Sequence, residues 1–79
     1  MTTKAYLLIE TSVGASKAVL NKIAQLDGVK SADPVTGPYD IITVVERQDL
    51  DGIASLVTEE IGSVDGISRN VTCVAINIA

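Results

Sequence analysis

The segment Ile23-Ala24-Gln25-Leu26-Asp27-Gly28-Val29 returns as Ile61-Gly62-Ser63-Val64-Asp65-Gly66-Ile67, at a constant offset of 38 residues. Each copy reads as the end of a helix, an Asp-Gly stop and the first residue of a strand. Glycine tolerates the left-handed backbone that closes a helix, so Gly28 and Gly66 read as C-terminal caps. Upstream of the first copy, residues 15–26 carry Val19, Leu20, Ile23 and Leu26 at helical spacing, with Ser12 or Gly14 as the helix start. Upstream of the second, Asp49 is a natural N-cap for a helix over 50–62, with Leu50, Ile53, Val57, Ile61 and Val64 on or near one stripe. Strand-like runs fill the rest: 5–10, 29–36, 40–46 and a strand within 67–78. Asp33-Pro34 makes the second strand irregular and places it at a sheet edge, and Gly37-Pro38 is a turn. Asp-Gly caps are common and such a match can arise by chance, but the element order supports a duplication independently. Two βαβ halves side by side give an α+β, ferredoxin-like βαββαβ fold: a four-stranded antiparallel sheet with two helices on one face.

The chain has 79 residues, read as one domain over 1–79 without a linker or low-complexity segment. A chain this short buries only about 60% of the surface its unfolded form exposes, and such domains are often reinforced by disulfides, metals or oligomerisation. Cys73 is the only cysteine and there is no histidine, which excludes an internal disulfide and argues against zinc. Oligomerisation remains, in keeping with 47% hydrophobic residues and a mean hydropathy of +0.37.

The net charge is −4, and Lys4, Lys17, Lys22, Lys30, Arg47 and Arg69 are scattered. The basic patch expected of a nucleic-acid binder is missing, and without Trp or Phe there is no platform for stacked bases. No apolar run approaches the roughly 20 residues of a membrane span. Met1-Thr2-Thr3-Lys4 runs straight into a strand without the marks of a secretory signal, so a cytoplasmic location is expected.

Alternation along the strands sets Leu7 and Ile9 against Tyr6 and Leu8, and Ile41, Thr43 and Val45 against Ile42 and Val44. In the last strand Val71, Cys73 and Ala75 oppose Thr72, Val74, Ile76 and Ile78. Both sheet faces are therefore largely apolar, while right-handed crossovers place both helices on one of them. The other face needs a cover, since burying each such side chain is worth roughly 1.5–3 kcal/mol. A two-fold, sheet-to-sheet dimer (a dimeric α+β barrel) is the simplest cover. Loops or the C-terminal tail are the competing one, though little chain remains for it.

At this point the residues resemble a known family. Ala5-Tyr6-Leu7-Leu8-Ile9, Leu26-Asp27-Gly28-Val29, Val35-Thr36-Gly37-Pro38-Tyr39-Asp40-Ile41-Ile42 and Gly66-Ile67 followed by Thr72 are together similar to the RAM domain, the ligand-binding and assembly domain of the Lrp/AsnC transcription regulators. Thr36-Gly37-x-Tyr39-Asp40 is the most specific piece. In that family the domain follows a DNA-binding helix-turn-helix domain; here the first strand begins near Met1, so a stand-alone member without a DNA-binding domain is expected. The resemblance implies an amino acid or related metabolite bound between subunits, and dimers assembling into octameric or similar rings. It carries the ligand site onto Gly37, Pro38, Tyr39 and Asp40 of the turn and onto Thr72, with Asn70 two residues earlier on the same face. Pro38 departs from the polar or acidic residue common at its position. Full-length regulators of the family are candidate partners. Direct contact with nucleic acid is not carried over, and no cofactor is implied.

Each of these residues also has a structural role open to it. Gly37 suits a tight turn, Tyr39 can pack between subunits, and Thr72 is a good strand residue. Asp40 can accept hydrogen bonds at the strand start, or hold an α-ammonium group. Cys73 reads as a buried structural thiol, since no histidine exists to activate it. Glu59 and Glu60 are helix neighbours that do not face one another and read as a solvated surface rather than an acid–base pair. Gly14-Ala15-Ser16-Lys17 lacks the spacing of a phosphate-binding loop. The expectation is a non-catalytic, ligand-responsive oligomeric module acting on transcription regulation or amino-acid metabolism. The alternatives are a small dimeric α+β barrel enzyme, disfavoured by the lack of His, Trp and Phe, and a purely structural assembly domain.

Overall fold

A computed structural model describes residues 2–77. The chain runs β1 (Thr3–Thr11), α1 (Ser16–Ile23), β2 (Val29–Pro34), β3 (Ile41–Arg47), α2 (Leu50–Ser55) and β4 (Ile67–Val74). A π-turn (Leu56–Glu60) and a 3-10 turn (Ile61–Ser63) continue α2 without a break. The sheet is antiparallel in the order β2-β3-β1-β4, the ferredoxin-like arrangement, with β2 at an edge as expected.

Ala5, Leu7, Ile9, Ile41 and Val45 on one side of the sheet form a single core with Val19 and Ile23 of α1 and with Ile53, Leu56 and Ile61 of the second helical segment. Both helical segments therefore cover the same side. Register puts Asn70, Thr72 and Val74 of β4 on this helix side, opposite Ile9, Leu7 and Ala5. The open side carries Tyr6, Leu8, Ile42, Val44, Val71 and Cys73, with Lys4, Glu10, Glu46 and Arg69 around them. Leu8, Ile42, Val44 and Val71 are half-buried, Tyr6 is exposed, and so is Cys73. The thiol expected to be buried thus lies on the uncovered side of an edge strand.

The duplication read from the Asp-Gly echo reaches the hydrogen bonds. Glu46 N donates to Gly28 O and Ser12 N donates to Gly66 O, both at 2.8 Å. Gly28 and Gly66 both have left-handed φ, +94° and +99°. The strand register skips Lys30 of β2 and Ser68 of β4, so equivalent bulges also stand 38 residues apart. The two donors, however, are only 34 apart. The four missing residues are one helical turn: α2 starts at Leu50, four residues ahead of Ala54, the counterpart of Ser16.

Several boundaries differ from expectation. Helix α1 starts after Ala15 with no side-chain cap, and Ser12 instead accepts from Ala15 N through its carbonyl (2.9 Å). It ends at Ile23 with Ala24 as its C-cap, after which i→i+3 bonds tighten the chain up to Leu26. The second segment is capped by Val64, so Gly28 and Gly66 are not the helix caps expected but the left-handed residues that lead into β2 and β4. Strand β2 stops at Pro34, and Val35 N closes the following turn on Asp40 O (2.9 Å). Strand β4 stops at Val74; Ile78 lies outside the described residues. Asp49 caps α2 as expected, accepting from Gly52 N at 2.8 Å. The apolar stripe of the second helix is different. The π-turn adds a residue per turn, bringing Leu56 and Ile61 into line with Ile53, while Leu50 is 60% exposed.

Glu60 is not simply solvated. Its carboxylate pairs with Arg47 at 2.7 Å, and Arg47 also donates to Asp27 O (2.8 and 3.1 Å). This guanidinium ties the end of α1 to the π-turn. Glu59 is exposed.

Candidate functional site

The turn from β2 to β3 is held at both ends. Val35 N bonds Asp40 O, and Asp40 N donates to Ile9 O at 2.9 Å. Between them Gly37 has φ +127°, a conformation that L side chains rarely adopt, with open space where a side chain would stand. Gly37 and Pro38 are exposed, and Tyr39 and Asp40 are half-buried. Oδ2 of Asp40 accepts from Thr11 N at 2.8 Å and from Thr11 Oγ1 at 3.2 Å. With the Thr11 hydroxyl proton directed at Asp40, Ser16 Oγ donates to Thr11 Oγ1 (2.7 Å). The chain Ser16–Thr11–Asp40 anchors the turn to the first turn of α1. Thr11 and Ser16 escape a reading of the sequence, because their partner is 29 residues away for Thr11 and nothing local marks the pair.

Asn70 and Thr72 come together on the helix side of β4, where Asn70 Nδ2 donates to Thr72 Oγ1 at 3.4 Å. Both are half-buried. Oδ1 of Asn70 is buried without a hydrogen-bond partner. Among the described residues nothing pairs with it, and a buried carbonyl oxygen left unpaired costs about 1–3 kcal/mol. Asn70 borders an open groove of about 300 Å³ whose wall mixes apolar side chains (Val57, Ile61, Val64, Ile67) with the polar Ser68 and Arg69.

The six expected residues therefore form two clusters in one subunit. The turn carries Gly37, Pro38, Tyr39 and Asp40; the edge strand carries Asn70 and Thr72. Ile9 pairs with Ile41 on one side and Asn70 on the other, so two strand spacings, about 10 Å of backbone, separate the clusters at the same end of the sheet. Among the described residues no group of three or more His, Cys, Asp or Glu side chains is placed to hold a metal ion, and no helix is long and apolar enough to cross a membrane.

Comparison with known proteins defines the class. A family profile described as the Lrp/AsnC ligand binding domain matches residues 4–79. TTHA0845 from Thermus thermophilus is 31% identical, with a TM-score of 0.92 over 98% of this chain and 96% of that chain. AsnC of E. coli shares the fold, with a TM-score of 0.89 and 23% identity over 96% of this chain and 52% of that chain. The transcriptional regulator NMB0573 of Neisseria meningitidis, solved as a complex with L-Met, shares it too, with a TM-score of 0.84 and 13% identity over 95% of this chain and 50% of that chain. No curated protein sequence matches. Fold and profile together describe a ferredoxin-like ligand-binding domain of the regulatory type. The chain belongs to the Lrp/AsnC ligand-binding domain family.

Proposed function

We propose that this chain is a cytoplasmic, non-catalytic module that binds an amino acid or related small metabolite between subunits and changes its assembly in response. The observation that carries the reading is the match to a ligand-binding domain along residues 4–79. The L-Met complex of NMB0573 supports an amino acid as the ligand class. The uncovered sheet side supports a two-fold dimer through Tyr6, Leu8, Ile42, Val44 and Val71. Such dimers then join into an octameric or similar ring.

The ligand site is read as Gly37, Pro38, Tyr39 and Asp40 of one subunit with Asn70 and Thr72 of another. The separation of the two clusters favours a shared pocket. Both bonds from Thr11 fall on Oδ2 of Asp40, which leaves Oδ1 for the α-ammonium group in a charge-assisted bond. The module acts on regulators of its family by co-assembly, without touching DNA itself.

Titration calorimetry against the twenty amino acids, read together with light scattering, tests the proposal. At least one is expected to bind and shift the molar mass. No heat and no change of mass with any of them would overturn it. Asp40→Asn keeps an acceptor for Thr11 and removes the charge, so it should weaken binding at least tenfold while leaving the fold intact. Unchanged binding with an altered mass would favour the purely structural role, to which the bonds from Thr11 also lend support.

A further inference from the structure

Arg47 is seated rather than spread over the surface. Its guanidinium donates to Asp27 O (2.8 and 3.1 Å), to Gly52 O (3.5 Å) and to Glu60 Oε2 (2.7 Å), and its side chain is only 19% exposed. Two glycines shape the seat: a Cβ at Gly28 would lie 2.7 Å from Arg47 Nε, and one at Gly52 would lie 2.9 Å from Arg47 Cβ. Gly52 precedes the π-turn and Glu60 ends it. In a regular α-helix the eight-residue step between them advances about 800°, which leaves them about 80° apart around the axis. A π-turn takes up an extra residue without the extra rotation and removes most of that angle. Arg47 grips both positions because the π-turn lines them up.

The first half lacks this grip. Ser12 N and Glu46 N make equivalent bonds, to Gly66 O and Gly28 O, so Val13 stands where Arg47 does, and it is fully exposed. Lys22 stands where Glu60 does, and residues 18–22, the counterparts of Leu56–Glu60 at the offset of 38, are regular α-helix. The second half is divided between two forms. Ile61 N–H reaches both Leu56 O, its π acceptor, and Val57 O, its α acceptor. The apolar residues divide likewise. Ile53, Leu56 and Ile61 are buried in the form seen, whereas Leu50, Ile53, Val57 and Ile61 keep the repeat of a regular helix, and Leu50 is left exposed.

We propose that the second helical segment is a two-position switch with Arg47 as its latch. By gripping Gly52 and Glu60 together, Arg47 holds the π form; release of Glu60 lets the segment close into a regular α-helix. Ile61 stays in the core in both forms, so the helix ahead of it turns by about 100°, the advance of one residue. That turn carries Leu50 and Val57 inward and Leu56 outward. The Glu60 side chain is 37% exposed, so the latch opens without uncovering the core. Val57 borders the groove beside Asn70 in the form seen, so the switch also reshapes the wall of that groove.

Thiol labelling of the full chain in a Cys73→Ser background tests it, with a single cysteine introduced by Leu50→Cys or by Leu56→Cys. With Glu60 in place, the first should label quickly and the second slowly. Adding Glu60→Ala should slow labelling at Leu50→Cys and speed it at Leu56→Cys, each severalfold. If Glu60→Ala does not fold, Glu60→Gln, which keeps the shape and loses the charge, must move the two rates in the same opposite directions. Faster labelling at both positions, as local unfolding would give, would overturn the switch. So would unchanged rates with a lowered melting temperature, the mark of an ion pair that only stabilises.

Discussion

Thr43 sits in the middle of β3, fully buried, with its hydroxyl lacking a partner among the described residues. Its neighbours in register are Leu7 and Ala32, neither of which offers a side-chain acceptor. Thr43→Val keeps the shape and removes the orphan hydroxyl, so it should stabilise the fold by about 1 kcal/mol. In a domain of this size the melting temperature should rise by about 4–8 °C; a fall would mean that the hydroxyl is paired in solution. Gly66 shows the opposite sensitivity. A Cβ there would lie 2.9 Å from Ala15 Cβ and 3.0 Å from a Val19 methyl, on a backbone already at φ +99°. Gly66→Ala is expected to cost more than the backbone penalty alone, about 1–3 kcal/mol. Gly37→Ala meets open space and should cost only that penalty. Denaturant unfolding of the two variants side by side checks the difference.

The second helical segment is where an element departs most from its periodicity. A regular helix with a 3.6-residue repeat would bury Leu50, Ile53, Val57 and Ile61. The π-turn instead rotates Leu56 inward, leaving Val57 half-buried at the groove and Leu50 exposed. Leu56→Ala should cost about 2–5 kcal/mol as a core truncation, whereas Leu50→Ala should stay within about 0.5 kcal/mol. A regular α-helix in solution would lower the cost at Leu56 and raise it at Leu50. The cap at Asp49 and the left-handed turns at Gly28 and Gly66 could be read in the sequence because each depends on one residue and its immediate neighbours; the helix ends at Ala24 and Val64 could not. Nor could the π-turn. It depends on how Ile53, Leu56 and Ile61 meet a sheet whose buried side is built from residues as distant as Ala5 and Leu7.

At the scale of the molecule, the contrast is between a covered and an uncovered side of one sheet. The open side presents Tyr6, Leu8, Ile42, Val44 and Val71, and a charge at its centre would be buried unpaired in a sheet-to-sheet dimer. Val44→Lys should therefore dissociate the proposed dimer, because an unpaired buried charge is strongly destabilising. It should also remove any dependence of the melting temperature on protein concentration, a dependence expected of the parent by mass action. Sedimentation of parent and variant decides the matter; an unchanged mass would place the contact elsewhere. Cys73 belongs to this scale as well. Its exposure in the single chain follows from its register opposite Tyr6, which a reading of its apolar neighbours could not supply.

Element order, the duplicated Asp-Gly turns, the irregular edge strand and the family resemblance could all be read along the chain. They are written in short-range patterns: a period of two or 3.6, a glycine after a helix, a cap before one. Tertiary structure alone decided that Asp40 is held by Thr11, that Asn70 faces the helices, and that the six residues proposed for the ligand site fall into two clusters. Those facts depend on strand register and on helix packing across the sheet. A shift of one residue in pairing exchanges the two sides of every strand, and no local pattern records which side the helices will cover.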